Sequence, residues 1–161
     1  MRKIVKIKSG FLIALLTMLL FSSMVVSAKT HLRGCVKGKF QKTESFSGTM
    51  NYRVLDGSSN GVYYSFDANQ TLTLSGTVKV YATTNYGGTP NTTYVCCYEK
   101  TGAGSKKLIC SASVKAYNDG NAYEFSGTGT TINTSDKYYI MCYKIEDDGF
   151  DVQISGTLST D

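Results

Sequence analysis

Beyond residue 28 this chain nowhere repeats apolar residues at helical spacing over the roughly 10 to 12 positions that a helix needs. That absence bounds the fold more tightly than any motif. Thr, Val, Tyr and Ile instead alternate with polar residues and are broken by Gly, Asn, Asp and Ser, the pattern of short strands. Strands are expected near 45–55, 61–67, 70–82, 93–100, 106–117, 122–127, 137–146 and 149–159. About eight short strands at that spacing predict an all-β fold, a single antiparallel β-sandwich of jelly-roll or Ig-like type. The sole proline, Pro90, falls in a loop and interrupts no strand.

Two registers follow from turn chemistry. Asp148-Gly149 is a favoured two-residue hairpin turn, because both central positions need positive φ. Pairing outward from it sets Ile145 opposite Val152, Tyr143 opposite Ile154 and Tyr139 opposite Leu158 on one apolar face. Lys144, Gln153, Ser155 and Thr157 then fall on the other face. A second hairpin, Thr93 to Val114, pairs Lys100 with Lys106 around the loop TGAGS, which places Glu99 beside Lys107 and Cys96 beside Cys110. Tyr94, Cys96, Tyr98, Leu108, Cys110, Ala112 and Val114 are then expected to share the core face. The tripeptide SGT occurs four times, at Ser47, Ser75, Ser126 and Ser155, and in a chain this rich in Ser, Gly and Thr it reads as coincidence.

The first 28 residues have a basic start (Arg2, Lys3, Lys6, Lys8), an apolar run from Phe11 to Phe21 and a small-residue end at Val26-Ser27-Ala28. This is the layout of a secretory signal peptide cleaved after Ala28, and its apolar core is short for a membrane span. Cleavage leaves no stable membrane span in the mature chain. The expected organisation is a signal peptide over 1–28, a basic N-terminal arm over 29–44 and the β-sandwich over 45–161. Four of the 17 basic residues belong to the signal, so 13 remain against 12 acids. The basicity of the whole chain therefore gives no ground for nucleic-acid binding.

All five cysteines lie in the part expected to be exported, where disulfides persist. Directly opposed strand residues lie about 4.5–5.5 Å apart at Cα, within the range a disulfide accepts, so a Cys96–Cys110 bond is expected. Cys97 should face outward. Cys35, Cys97 and Cys142 are left as a second disulfide with one thiol over, or as free thiols.

Catalytic chemistry finds little support. The only histidine, His31, sits three residues after the expected cleavage site, too near the chain end to be held as a general base. No glycine loop precedes a helix to cradle a phosphate. The run EDDGFD groups Asp147, Asp148 and Asp151 as candidate oxygen ligands for Ca²⁺, without the length or closing glutamate of an EF-hand. The stretch Tyr81 to Thr93 is long, polar and glycine-rich for a hairpin connection, and Tyr81, Asn85, Tyr86 and Asn91 make it a candidate ligand-binding loop. Twelve tyrosines and no tryptophan leave any aromatic contact surface to tyrosine.

The expectation is a secreted, non-catalytic extracellular module that needs no cofactor. It would bind a cell-envelope polymer, a glycan or an extracellular protein, or associate with the cell surface. The alternative is a secreted toxin or bacteriocin-like effector acting on competitor cells or membranes.

Overall fold

The computed structural model describes residues 41–161 apart from Ala103 and Thr134, and apart from the side chains of Ser135 and Asp136. The signal peptide, most of the basic arm, His31 and Cys35 lie outside the described residues. Nine strands follow in order: β1 (Thr43–Met50), β2 (Val54–Asp56), β3 (Tyr64–Phe66), β4 (Thr71–Thr83), β5 (Thr93–Lys100), β6 (Lys106–Val114), β7 (Ala122–Thr131), β8 (Ser135–Tyr143) and β9 (Phe150–Thr160). They form two antiparallel sheets. One has the order β1-β9-β4-β7; the other has the order β2-β8-β5-β6, with β3 also paired to β8. Because β5 holds one edge of β8, β2 and β3 share the other edge as two pieces of an interrupted strand. The all-β expectation therefore stands, and the arrangement is consistent with a β-sandwich-like fold.

The strand expected over 45–55 is two strands in different sheets. β1 ends at Met50, the chain crosses at Asn51–Arg53, and β2 begins at Val54. β5, by contrast, has the expected bounds. One core receives the inward residues of both sheets, among them Leu72, Leu74, Val78, Val152, Ile154 and Leu158 from the four-stranded sheet. Val95, Cys97, Tyr138, Ile140 and Cys142 come from the five-stranded one.

The expected Asp148-Gly149 hairpin does not form. β8 and β9 belong to different sheets, and Val152 pairs with Met50 and Val80, not with Ile145. Gly149 does take the left-handed conformation (φ 71°), but Asp148 does not, so the paired positive-φ turn is absent. A buried ion pair occupies the corner instead. Lys144 Nζ lies 2.7 Å from Asp148 Oδ1 and donates to Phe150 O, while Asp148 also accepts from the amides of Phe150 and Asn91. Lys144, expected on the solvent face, is 2% exposed.

The SGT tripeptides have a structural role: one lies in each strand of the four-stranded sheet. Ser47 pairs with Ser155, Ser75 with Ser126 and Gly76 with Gly156. The glycines leave room for aromatic rings. A Cβ at Gly156 would come 2.7 Å from Phe46 Cζ, and one at Gly76 would come 2.7 Å from Phe125 Cζ. Each ring covers the glycine opposite it, the arrangement that restores packing where a strand lacks a side chain.

Candidate functional site

The β5–β6 register starts as expected, with Lys100 opposite Lys106, Glu99 opposite Lys107 and Tyr98 opposite Leu108. A β-bulge then inserts Ile109, and Cys110 comes to face Cys97 while Cys96 faces Ser111. This overturns the expected Cys96–Cys110 disulfide. Cys96, Cys97, Cys110 and Cys142 are all buried free thiols, and no disulfide is present among the described residues. The faces of β5 are also exchanged, while Cys110, Ala112 and Val114 of β6 keep the expected core side. Cys97, Cys110 and Cys142 belong to the core, whereas Cys96 lies on the outer side of its sheet with Tyr94 and Tyr98. The Cys97 thiol is pushed up by its hydrogen-bonding contact with Cys110 and by burial, and burial pushes Cys142 up to about 12. Cys97 and Cys142 are therefore held as thiols at neutral pH, whereas the hydrogen bond from Cys97 lowers Cys110.

With the faces exchanged, four tyrosines move from the expected core to the outer face of the five-stranded sheet. Tyr94 stacks on Tyr143 with centroids 5.1 Å apart and planes 17° from parallel. Tyr98 stacks on Tyr139 at 5.8 Å and 27°, and Tyr63 meets Tyr139 edge-on. Strand register explains both pairs, since Tyr94 is opposite Tyr143 and Tyr98 opposite Tyr139. Such pairs contribute about 0.5–1.5 kcal/mol each beyond area burial.

Between the two tyrosine rows runs a third row, Asp56–Met141–Cys96–Ser111. Its short or flexible side chains make a floor. The tyrosine rows are four residues apart along the strands, so the trough between them is about 13 Å from Cα row to Cα row. A depression of about 360 Å³ lies here, lined by Arg53, Val54, Tyr98, Lys106, Met141 and Tyr143, with Lys144 and Ile145 at its end. Ile145, expected in the core, is 64% exposed. A smaller neighbouring hollow of about 200 Å³ is lined by Lys100, Lys106, Ser58 and Tyr139.

Cations border this trough. Lys106 Nζ sits 4.5 Å above the Tyr98 ring and 3.3 Å from Met141 Sδ, and Lys100 Nζ lies 5.7 Å over the Tyr63 ring. Burial, and then the neighbouring Cys96, push the Tyr98 hydroxyl up to about 12. Burial likewise raises Tyr139 and Tyr143, so these phenols are hydrogen-bond donors at neutral pH. Asp56 is the acid of the floor row. Burial raises its carboxyl, but hydrogen bonds from the Ser58 hydroxyl and amide outweigh that and hold it below the usual range. The arrangement can grip a ligand and hydrogen-bond it.

The candidate loop residues lie elsewhere. Tyr81 is in β4 and donates to Asn51 Oδ1. Asn85 Nδ2 donates to Asp148 O at 3.1 Å, and the Asn91 amide donates to Asp148 Oδ2 at 2.6 Å, so both tie the loop to the acidic corner. Tyr86 is 85% exposed. Of the candidate metal ligands, Asp148 is spent on Lys144 and Asp147 accepts from the Gly149 amide, while Asp151 is half-buried in β9. No group of three or more His, Cys, Asp or Glu is placed to hold a metal ion among the described residues. No helix among them is long and apolar enough to cross a membrane.

The sequence reading missed Lys144, Met141 and the tyrosine rows. Tyr94-x-Cys96-x-Tyr98 and Tyr139-x-Met141-x-Tyr143 do repeat with period two, a usable signal once the two strands are known to be neighbours.

No protein-family model and no curated protein matches the sequence. Among solved structures, the chain is similar to the CBM22-1–GH10 modules of Clostridium thermocellum endo-1,4-beta-D-xylanase 10B complexed with xylohexaose. The TM-score is 0.42 at 19% identity, over 60% of this chain and 17% of that one. It is also similar to a structure of Bacillus endospore appendages, described as a family of disulfide-linked pili, with a TM-score of 0.36 at 15% identity, over 80% of this chain and 96% of that one. Neither likeness is strong enough to bear on what this chain does.

Proposed function

We propose that this chain is an exported, non-catalytic binding module that holds an extended ligand in the tyrosine-walled trough of its five-stranded sheet. In this reading the chain is cleaved after Ala28 and works outside the cell. Counting β2 and β3 as one interrupted strand, the orders β1-β9-β4-β7 and β2/β3-β8-β5-β6 fit a jelly roll of eight strands in two sheets. One observation carries the reading: two stacked tyrosine pairs bracket a Met141 and Cys96 floor on an outer sheet face. Rigid, amphipathic tyrosines give contact area at small entropic cost. The test is retention of the purified protein on cell-envelope fractions, with the double change Tyr98→Ala and Tyr143→Ala. Retention should fall at least tenfold in a variant that still unfolds cooperatively; undiminished retention would place the binding surface elsewhere.

An open edge favours a second reading, that of an associating surface subunit. Among the described residues β1 pairs only with β9, and its other edge lies beside a cavity of about 80 Å³ lined by Phe46, Leu55, Val62, Tyr64 and Ile154. An unpaired edge beside apolar space suits an added strand from another molecule. Concentration-dependent association in sedimentation runs, abolished by Val62→Lys, is the outcome this reading requires.

A further inference from the structure

We infer that the trough takes an acidic polysaccharide, an extended polymer bearing carboxylate or sulfate groups, gripped by Arg53 and Lys106 in the trough and by Lys100 in the neighbouring hollow. The inference rests on the reading of this face as the binding site and adds the chemistry of the ligand. Arg53, Lys100 and Lys106 border the trough or its neighbouring hollow, and none of them is in an ion pair among the described residues. Lys42 and Lys144, by contrast, are paired with Glu44 and Asp148. Lys106 touches a tyrosine ring and a thioether sulfur, and Lys100 touches Tyr63. Rings and sulfur hold an ammonium in place without neutralising its charge. Asp56, the acid of the same face, is engaged by Ser58.

The spacing of the cations selects a polymer over a small ion. Arg53 and Lys106 line one depression, and Lys106 and Lys100 line the hollow beside it, so cations recur across two adjoining hollows. A single small anion occupies one of them; an extended polyanion spans both. The tyrosine packing selects against single-stranded nucleic acid. Such ligands stack their bases on open ring faces, and here each ring of a pair covers one face of its partner at 5.1 or 5.8 Å. The phenols, held protonated, can donate to sugar hydroxyl and carboxylate oxygens.

The test uses one polymer in two charge states. Immobilised polygalacturonate should retain the protein at least tenfold more tightly than the same polymer with its carboxylates methyl-esterified. Retention should weaken as salt is raised. Lys106→Met and Arg53→Met should each weaken polygalacturonate binding about fivefold or more, weaken binding to the esterified polymer by a smaller factor, and leave the melting temperature unchanged. Equal binding to both polymers overturns the charge inference and leaves the trough as a neutral-glycan site. Binding to neither, or binding insensitive to Tyr98→Ala, overturns the trough itself. Tighter binding to poly(dT) than to polygalacturonate overturns the choice of polysaccharide.

Discussion

The two outer faces of this molecule obey the same strand alternation and are chemically opposite. On the four-stranded sheet, three successive rows run across all strands: Thr43–Ser159–Thr73–Thr128, Ser45–Thr157–Ser75–Ser126 and Ser47–Ser155–Thr77–Glu124. All but Glu124 carry hydroxyls, and these pair with each other, as in Ser75 with Thr157 and Thr77 with Ser155, both at 3.3 Å. On the five-stranded sheet the rows are tyrosine, sulfur and tyrosine, bordered by cations that have no carboxylate partner among the described residues. The first face pairs some of its hydroxyls with one another, and the second leaves charge and aromatic surface for something else. Unspent interaction capacity, more than exposure, separates a binding face from a solvated one.

The corner that sends β8 and β9 to different sheets underlies this contrast, and breaking it should have the largest effect. Lys144→Ala leaves Asp148 buried and unpaired, so the protein should lose about 3–5 kcal/mol in chemical denaturation. The same corner predicts a pH dependence. Asp148 is raised by burial, but its hydrogen bonds from Lys144, Asn91 and Phe150 outweigh that and hold its folded pKa below the unfolded value. Its stabilisation is therefore complete above the unfolded value, near pH ~3.9, and is lost as pH falls through the lower folded value. Asp148→Asn should flatten the acid limb of a stability-against-pH curve, and an unchanged limb would assign the acid lability to other groups.

Next in size is the support beneath the hydroxyl face. A Cβ at Gly156 would lie 2.4 Å from Ser75 O, so Gly156→Val should cost about 1–3 kcal/mol by overpacking, seen as a lowered melting temperature. A double-mutant cycle of Tyr94→Ala and Tyr143→Ala should return a coupling of about 0.5–1.5 kcal/mol. Zero coupling would mean that the rings merely lie side by side. The smallest effect should follow Ser155→Lys. This exposed change on the hydroxyl face should shift stability by less than about 0.5 kcal/mol and leave envelope binding intact. If it abolishes binding instead, the roles of the two faces are reversed.

Strand positions were legible because alternation and turn residues are local: β5 has its expected bounds, and the first three pairs of the β5–β6 register are as expected. Which face of a strand points inward was not legible where every residue is apolar. In Tyr138-Tyr139-Ile140-Met141-Cys142-Tyr143 both faces read as core, so a one-residue difference in parity decides the assignment. The bulge at Ile109 was hidden for a related reason, since Leu108-Ile109-Cys110 offers apolar residues to either register. The Asp148-Gly149 turn misled because its side chain, not its backbone preference, was recruited.

The sequence by itself determined an all-β chain and the approximate place of its strands, since composition and period are properties of neighbouring residues. Only the tertiary structure decided which strands meet, and hence that Cys96, Cys97, Cys110 and Cys142 are free thiols and that the tyrosines line an outer trough. Pairing between distant strands depends on long-range choices, such as the buried Lys144–Asp148 contact and the single extra residue at Ile109. A local reading does not contain those choices.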